Sequence, residues 1–257
     1  MDTATRLALA ASFGRDTKTY AASRPAYPRE AVSWMVGTDP CDVLDLGAGA
    51  GALTSVLLAA GHRVAAADAS AALLRELGVR RSLTVAVQCA AEALPFAPAG
   101  FDVVTVATAF HWFDASRALP EIARVLRSGG RLALTWNTRD ESVAWVRRLG
   151  DLLRSVQPVG LTGDWGTGSV TQLRSSPLFD ALDRSEFSFT QLVDRDGLLA
   201  LVVSRSYVQA LAPPERQRLL ADVSTLFDET AAVTSTGDHG AHLRLPYRSQ
   251  CWRATVT

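Results

Sequence analysis

Between residues 41 and about 136, short apolar runs alternate with stretches whose apolar positions recur every three to four residues. Runs of four to eight apolar residues bounded by turn signals read as buried strands, and the 3.6-residue period reads as amphipathic helix. On that basis CDVLDLG (41–47), RVAAADAS (63–70), LTVAVQC (83–89), FDVVTVATAF (101–110) and RLALTWN (131–137) are predicted strands. GALTSVLLAAG (51–61), AALLRELG (71–78) and DASRALPEIARVLRSGG (114–130) are the helices between them, ended by Gly61, Gly78 and the Gly129-Gly130 pair. Glycine suits those ends because it takes the left-handed conformation without a Cβ penalty. Strands regularly separated by helices imply βαβ units, a mostly parallel sheet and helices on both faces. Right-handed crossovers then make it a doubly wound, Rossmann-like α/β fold.

Beyond residue 138 the rhythm loosens. Helices are predicted over 141–156, 196–211 and 214–230, and strands over 185–193 and 241–256. VGLTGDWGTGSV (159–170) carries four glycines and reads as a loop. No linker marks an independent second domain, so the tail is expected to finish the same sheet.

Composition narrows the function classes. The chain has 257 residues, 48% hydrophobic, enough for a core that needs no disulfides. Lys+Arg and Asp+Glu both number 26. No surplus of cations exists to displace counterions from a nucleic-acid backbone or to bind an anionic membrane surface. Cys41, Cys89 and Cys251 form no C-x-x-C pair, and an odd count fits a reducing compartment. The opening MDTATRLALAASFGRD has its short apolar run broken by Arg6, unlike a signal peptide, and no window holds 18 uninterrupted apolar residues. The expectation is a cytoplasmic monomer or homodimer with no nucleic-acid or membrane partner.

The richest segment is VLDLGAGAG (43–51), where a buried strand enters a glycine loop that leads into a helix. Such a loop brings backbone N–H groups close to a ligand. Two readings compete. Gly47, Gly49 and Ala52 can be fitted to a dinucleotide fingerprint, with Asp68 as its ribose ligand. Asp45, two residues before the first glycine, argues for the other: a carboxylate there repels a pyrophosphate and suits the cationic, phosphate-free S-adenosylmethionine (SAM).

Asp45-Leu-Gly47-Ala-Gly49-Ala-Gly51 resembles the first motif of class I SAM-dependent methyltransferases. Asp68 at the end of the second strand resembles their ribose-binding acid. AEALPF (91–96) ahead of FDVV (101–104), and RVLRSGGRLALTWN (124–137), resemble the adenine-side loop, fourth strand and fifth-strand entry of the type 11 methyltransferase domain. These four ordered motifs span about 95 residues. AFHWFD (109–114), YAASRPAYP (20–28) and LPYRSQCWRA (245–254) are similar to the branch that includes trans-aconitate methyltransferase-like proteins. The resemblance implies a seven-stranded sheet with an antiparallel last strand. It implies a domain over 41–257, with 160–180 a mobile loop or lid and 185–257 completing the sheet, preceded by a helical segment 1–40 over the cofactor.

The implied cofactor is SAM, with S-adenosylhomocysteine as product. Its implied contacts are Asp45, Gly47, Ala48, Gly49, Asp68, Ala69, Ala91, Glu92 and Ala107, with Tyr20 and Arg24 closing over it. Cys89-Ala90 stand where the family has Gly-Asp, so the adenine contact passes to the backbone of Ala91 or to Glu92. For Asp68, helix N-capping is the plainer alternative, although Ser70 could serve instead. His111, just after the fourth strand, is the candidate catalytic residue, as a base or as a pocket-shaping group. Trp112, Trp136, Asn137 and Tyr207 are expected on the acceptor side, and Asn137 could instead cap the next helix. Arg139 follows the same strand, and Arg205, Tyr207, Tyr247 and Arg248 could reach an acidic substrate. His62, His239 and His242 are expected at the surface. Asp140-Glu141 lack the further oxygen ligands a divalent cation needs, and no metal is expected. The activity implied is methyl transfer to a small acceptor, most simply at a carboxylate or hydroxyl oxygen. An NAD(P)-dependent oxidoreductase and a SAM-binding protein without transfer are the alternatives.

Overall fold

Proline and glycine frame the first helix. In the computed structural model, which describes residues 25–80, 85–158, 167–234 and 242–257, α1 (Arg29–Val36) starts after Pro28 and stops at Gly37, whose φ is +109°. The βα alternation follows: β1 (Asp42–Leu46), α2 (Ala52–Ala59), β2 (Arg63–Asp68), α3 (Ala71–Arg80), β3 (Val85–Gln88) and β4 (Phe101–Ala107). A 3₁₀ turn (Phe110–Trp112) leads to α4 (Ala115–Val125), whose Asp114 cap accepts the Ser116 N–H at 3.1 Å. Then come β5 (Leu126–Arg139), α5 (Ala144–Ser155), α6 (Thr167–Arg174), β6 (Asp183–Val193), α7 (Arg195–Val203), α8 (Ser206–Gln209), α9 (Pro213–Thr234) and β7 (Leu243–Thr255).

The strands form one seven-stranded sheet in the order β3-β2-β1-β4-β5-β7-β6. β1 pairs in parallel with β2 and β4, β2 with β3, and β4 with β5. β7 runs antiparallel to β5. Thr135 meets Cys251, Asn137 meets Ser249, and Asp140 donates its N–H to Pro246, so residue numbers fall on one strand as they rise on the other. Val43, Leu44, Val103, Val104, Leu132 and Leu134 are fully buried, which is why these strands read as continuous apolar runs.

The chain divides into two compact units. One comprises the described parts of 26–137, 163–187 and 249–257; the other comprises Pro25 and the described parts of 138–162 and 188–248. The first contains the glycine-loop half of the sheet, with a core around Leu44, Leu46, Val104, Phe110 and Ile122. The second has its own core, built from Val146, Leu149, Leu198, Val223, Phe227 and Leu245. The sequence carries no linker between them because the chain passes from one to the other along β5, β6 and β7.

Several sequence-based boundaries shift. The helix expected over 114–130 ends at Val125, and Gly129-Gly130 lie inside β5. There the register with β4 slips between Phe101 and Val103, and Gly129 takes φ +74°. A Cβ on Gly130 would stand 2.8 Å from the Arg127 carbonyl oxygen, so the glycine pair makes a β-bulge. The helix expected over 196–211 breaks at Ser204-Arg205. Within the segment expected as loop or lid, 167–174 is helical, with Val170 and Leu173 in the core. His62 is buried, at 4% exposure, rather than at the surface. Its Nδ1 lies 3.4 Å from Cys41 Sγ, and burial holds the imidazole below its ordinary pKa. His242 is exposed, and His239 lies outside the described residues. No described helix is long and apolar enough to cross a membrane.

Candidate functional site

The carboxyl ends of β1, β2 and β4 carry the residues that the sequence singles out, and ligands of open α/β sheets bind at that end. Leaving β1, the chain turns on Gly47, Gly49 and Gly51, with φ of +72°, +56° and +85°. The Ala67 carbonyl accepts the N–H groups of Gly47 (2.7 Å) and Ala48 (3.1 Å), tying the loop to β2. A Cβ on Gly47 would meet that of Ala109 at 2.5 Å, so glycine is what lets this loop pack on the turn after β4. At Gly49 a Cβ would meet nothing nearer than Leu73, 4.0 Å away, among the described residues. That leaves the loop's outer edge open to a ligand.

Asp68 closes β2 beside this loop. Its Oδ2 accepts the Gly49 N–H (2.9 Å) and its Oδ1 the Ser70 N–H (2.8 Å). Helix α3 is capped by Ser70, whose hydroxyl accepts the Leu73 N–H at 3.4 Å. Burial raises the Asp68 pKa, and the two N–H bonds oppose the rise. An ionised carboxylate offers about four lone-pair positions, so two remain for a ligand's hydroxyls.

Asp45 occupies a different environment from the one its motif suggests. It is fully buried, with Oδ2 accepting the Thr54 hydroxyl at 2.5 Å and Oδ1 accepting the Thr105 hydroxyl at 3.1 Å. Burial pushes its pKa up to about 6 against those two bonds. The carboxylate thus ties β1 to α2 and β4 beneath the loop. Thr54 and Thr105 escape sequence reading because they lie nine and sixty residues away with no motif of their own.

The loop after β3 is fixed from α4. Arg124 donates to the carbonyls of Leu94 and Phe96, each at 2.8 Å, and Glu121 accepts the Leu94 N–H at 2.8 Å. Arg124 holds the Glu121 carboxyl down at about 2. Glu92 accepts the Asp114 N–H at 2.7 Å, so one of its oxygens serves the turn before α4. Ala91 is buried, Ala107 half-buried and Ala69 exposed.

Past β4, Thr108 takes φ +54°, unusual for a β-branched residue, and its hydroxyl lies 3.2 Å from the Tyr27 hydroxyl. His111 stacks obliquely on Trp112 at 4.8 Å, and its Nδ1 lies 3.5 Å from Trp136 Nε1. An indole N–H only donates, so Nδ1 is the acceptor and the neutral imidazole carries its proton on Nε2. Nitrogen-15 NMR of the imidazole should report that tautomer; a proton on Nδ1 would remove this bond from the site.

Trp136, expected on the acceptor side, is 2% exposed and packs edge-on against Trp252 at 5.5 Å. Asn137 caps no helix: its Nδ2 donates to the Ala26 carbonyl at 3.4 Å and its Oδ1 accepts the Ser249 hydroxyl. Tyr207 lies in the core of the second unit. Asp140 and Glu141 precede α5 rather than start it, and pair with Arg248 and Arg154 at 3.0 and 2.9 Å. Tyr20 and Arg24 lie outside the described residues.

Comparison with known proteins fits this geometry. Residues 44–134, the glycine loop through β5, match the family described as a methyltransferase domain. A methyltransferase of Mycobacterium tuberculosis, itself of uncharacterized activity, is 38% identical over 99% of both chains. A malonyl-[acyl-carrier protein] O-methyltransferase of Enterobacter lignolyticus is 31% identical over 82% of this chain and 90% of its own. Among solved structures, one from Anaeromyxobacter dehalogenans assigned as a type II methyltransferase superposes with a TM-score of 0.69 at 26% identity, covering 90% of this chain and 97% of its own. With its full-length relatives, its sheet order and its glycine loop in agreement, the chain belongs to the class I SAM-dependent methyltransferases that carry the type 11 domain.

Proposed function

We propose that the chain methylates an oxygen atom of a small acid, with SAM held by the loop of Gly47, Ala48 and Gly49 and by Asp68. The observation that carries the cofactor assignment is the bond from Gly49 N–H to Asp68, which fixes a carboxylate at the end of β2 beside an open glycine edge. The donor set fits a ribose diol, and the half-buried or buried alanines around it (Ala48, Ala91, Ala107) fit an apolar ring. Asp45 is assigned a positioning role, pinning the loop from below through Thr54 and Thr105.

The bound sulfonium supplies an already activated methyl group. The protein's share is to align an acceptor and exclude water, and positioning of this kind removes much of a bimolecular barrier. A carboxylate acceptor is ionised near neutrality and needs no base. That agrees with a His111 whose Nδ1 faces an indole N–H, so His111 shapes the site. The named O-methyltransferase among the relatives supports an oxygen acceptor.

Calorimetric titration with SAM, S-adenosylhomocysteine and NAD(P) tests the cofactor. The first two should bind and the third should not. Asp68→Ala should weaken S-adenosylhomocysteine by about 1–2 kcal/mol, roughly five- to thirtyfold, through lost bonds to a charged acceptor. Unchanged affinity would remove the ribose assignment.

A further inference from the structure

We propose that Arg139 and Arg205 form a buried subsite that binds a carboxylate group of the acceptor. The proposal rests on the reading of the chain as a methyltransferase of small acids and names the residues that recognise the acid.

Arg139 is the last residue of β5, and Arg205 sits at the break between α7 and α8. The Arg139 Nη1 and Arg205 Nε atoms are both buried and have no hydrogen-bond partner among the described residues. Thr138 donates to the Arg248 carbonyl and Asp140 to that of Pro246, a register that sets Arg139 opposite Tyr247. Tyr247 in turn stacks on Phe189 at 5.2 Å, and Tyr207 is 8% exposed. Tyr247, so stacked, stands across from Arg139. Burial and the charge of Arg205 pull the Arg139 pKa down to about 10, while Tyr247, Tyr207 and Glu141 oppose the shift.

Among the described residues, the carboxylates of Asp140 and Glu141 are engaged by other arginines. Both Glu141 oxygens accept Arg154 at 2.9 Å, and both Asp140 oxygens accept Arg248 at 3.0–3.1 Å. A buried guanidinium with an unfilled donor is costly, and two that repel each other are costlier. A folded protein keeps such an arrangement where a ligand relieves it. One unfilled donor on each guanidinium offers a carboxylate two charge-assisted bonds. A phosphate ester, with three terminal oxygens, would leave one unmatched.

The test is titration of the full chain with malonate, succinate and citrate, with inorganic phosphate as the competing anion, monitored by calorimetry and by thermal melting. At least one carboxylate should bind and raise the Tm. Arg139→Gln and Arg205→Gln should each weaken that binding by about thirtyfold or more. Without added anion both variants should melt at or above the wild-type temperature, because each removes an uncompensated buried charge. Arg139→Lys, which keeps the charge and loses the planar fork, should retain part of the affinity. Four results would overturn the proposal: no carboxylate binds, the Gln variants bind as well as wild type, they melt well below it, or phosphate binds more tightly than every carboxylate. S-adenosylhomocysteine, titrated in parallel, separates the two readings. Its failure to bind wild type would remove the cofactor assignment, whereas carboxylate failure with S-adenosylhomocysteine bound would remove only this subsite.

Discussion

Replacing Gly47 with alanine is expected to lower folding stability by about 3–4 kcal/mol, the sum of left-handed strain and core overpacking. Two independent costs coincide there. The residue has φ +72°, a conformation that costs an L-residue roughly 1–2 kcal/mol. The added Cβ would also stand 2.5 Å from the Cβ of Ala109 and 3.4 Å from the ring of Phe113. Ala109 Cβ cannot rotate away, so the loop or the turn after β4 must move. Either movement disturbs the bonds from Gly47 and Ala48 to the Ala67 carbonyl, and the cofactor edge shifts with them. Urea denaturation should show the loss, and calorimetry on the folded fraction should show S-adenosylhomocysteine weakened by at least tenfold. Gly49→Ala supplies the contrast. It carries a similar φ, +56°, but its Cβ has room, so its stability cost should be the conformational part alone. Equal costs at the two positions would mean that packing against Ala109 is not what selects glycine.

That contrast also marks how far the sequence could be read. Strands β1, β4 and β5 were legible because a parallel sheet buried on both faces turns a central strand into an apolar run, whereas β3, exposed at the sheet edge, showed only alternation. The order of motifs placed Asp68 beside the glycine loop, and the structure brings its carboxylate to the Gly49 N–H. Other features lacked a local signal. Gly129-Gly130 looks the same whether it ends a helix or forms a bulge, and only the register with β4 decides. Four glycines hid the start of α6, whose two core residues, Val170 and Leu173, are spaced by a single helical step. His62 follows a surface glycine yet is buried against Cys41. Arg139 and Arg205 are 66 residues apart in the sequence, and only the fold puts them in one compact unit. Asp45 shows the limit most clearly. Its motif was legible, but its bonding was not, since both its partners are threonines met only across the core.

Asp45→Asn should therefore stabilise the protein at neutral and alkaline pH. The Asp45 carboxyl titrates near 3.8 when unfolded and near 6 when folded, so between those values the folded state binds more protons. Stability must fall as pH rises through that window and level off above it, by about 3 kcal/mol at this site. Asparagine has the same shape and does not ionise. Thr54 and Thr105 hydroxyls can each turn to donate or accept, so its amide and carbonyl both find partners. The variant should show no fall from this site between pH 4 and 6, and at pH 8 it should exceed wild type by up to about 3 kcal/mol in urea denaturation. Equal pH profiles would show that the wild-type carboxyl stays ionised in the core. The same variant decides what the motif's acid does for the cofactor. With both oxygens taken by threonines, Asp45 should act only by shaping the loop, and S-adenosylhomocysteine affinity should stay within about threefold of wild type. A loss beyond tenfold in a variant that keeps the wild-type stability would mean that the carboxylate leaves Thr54 or Thr105 to contact the ligand directly, because a loop left in place loses that much only with a charge-assisted bond.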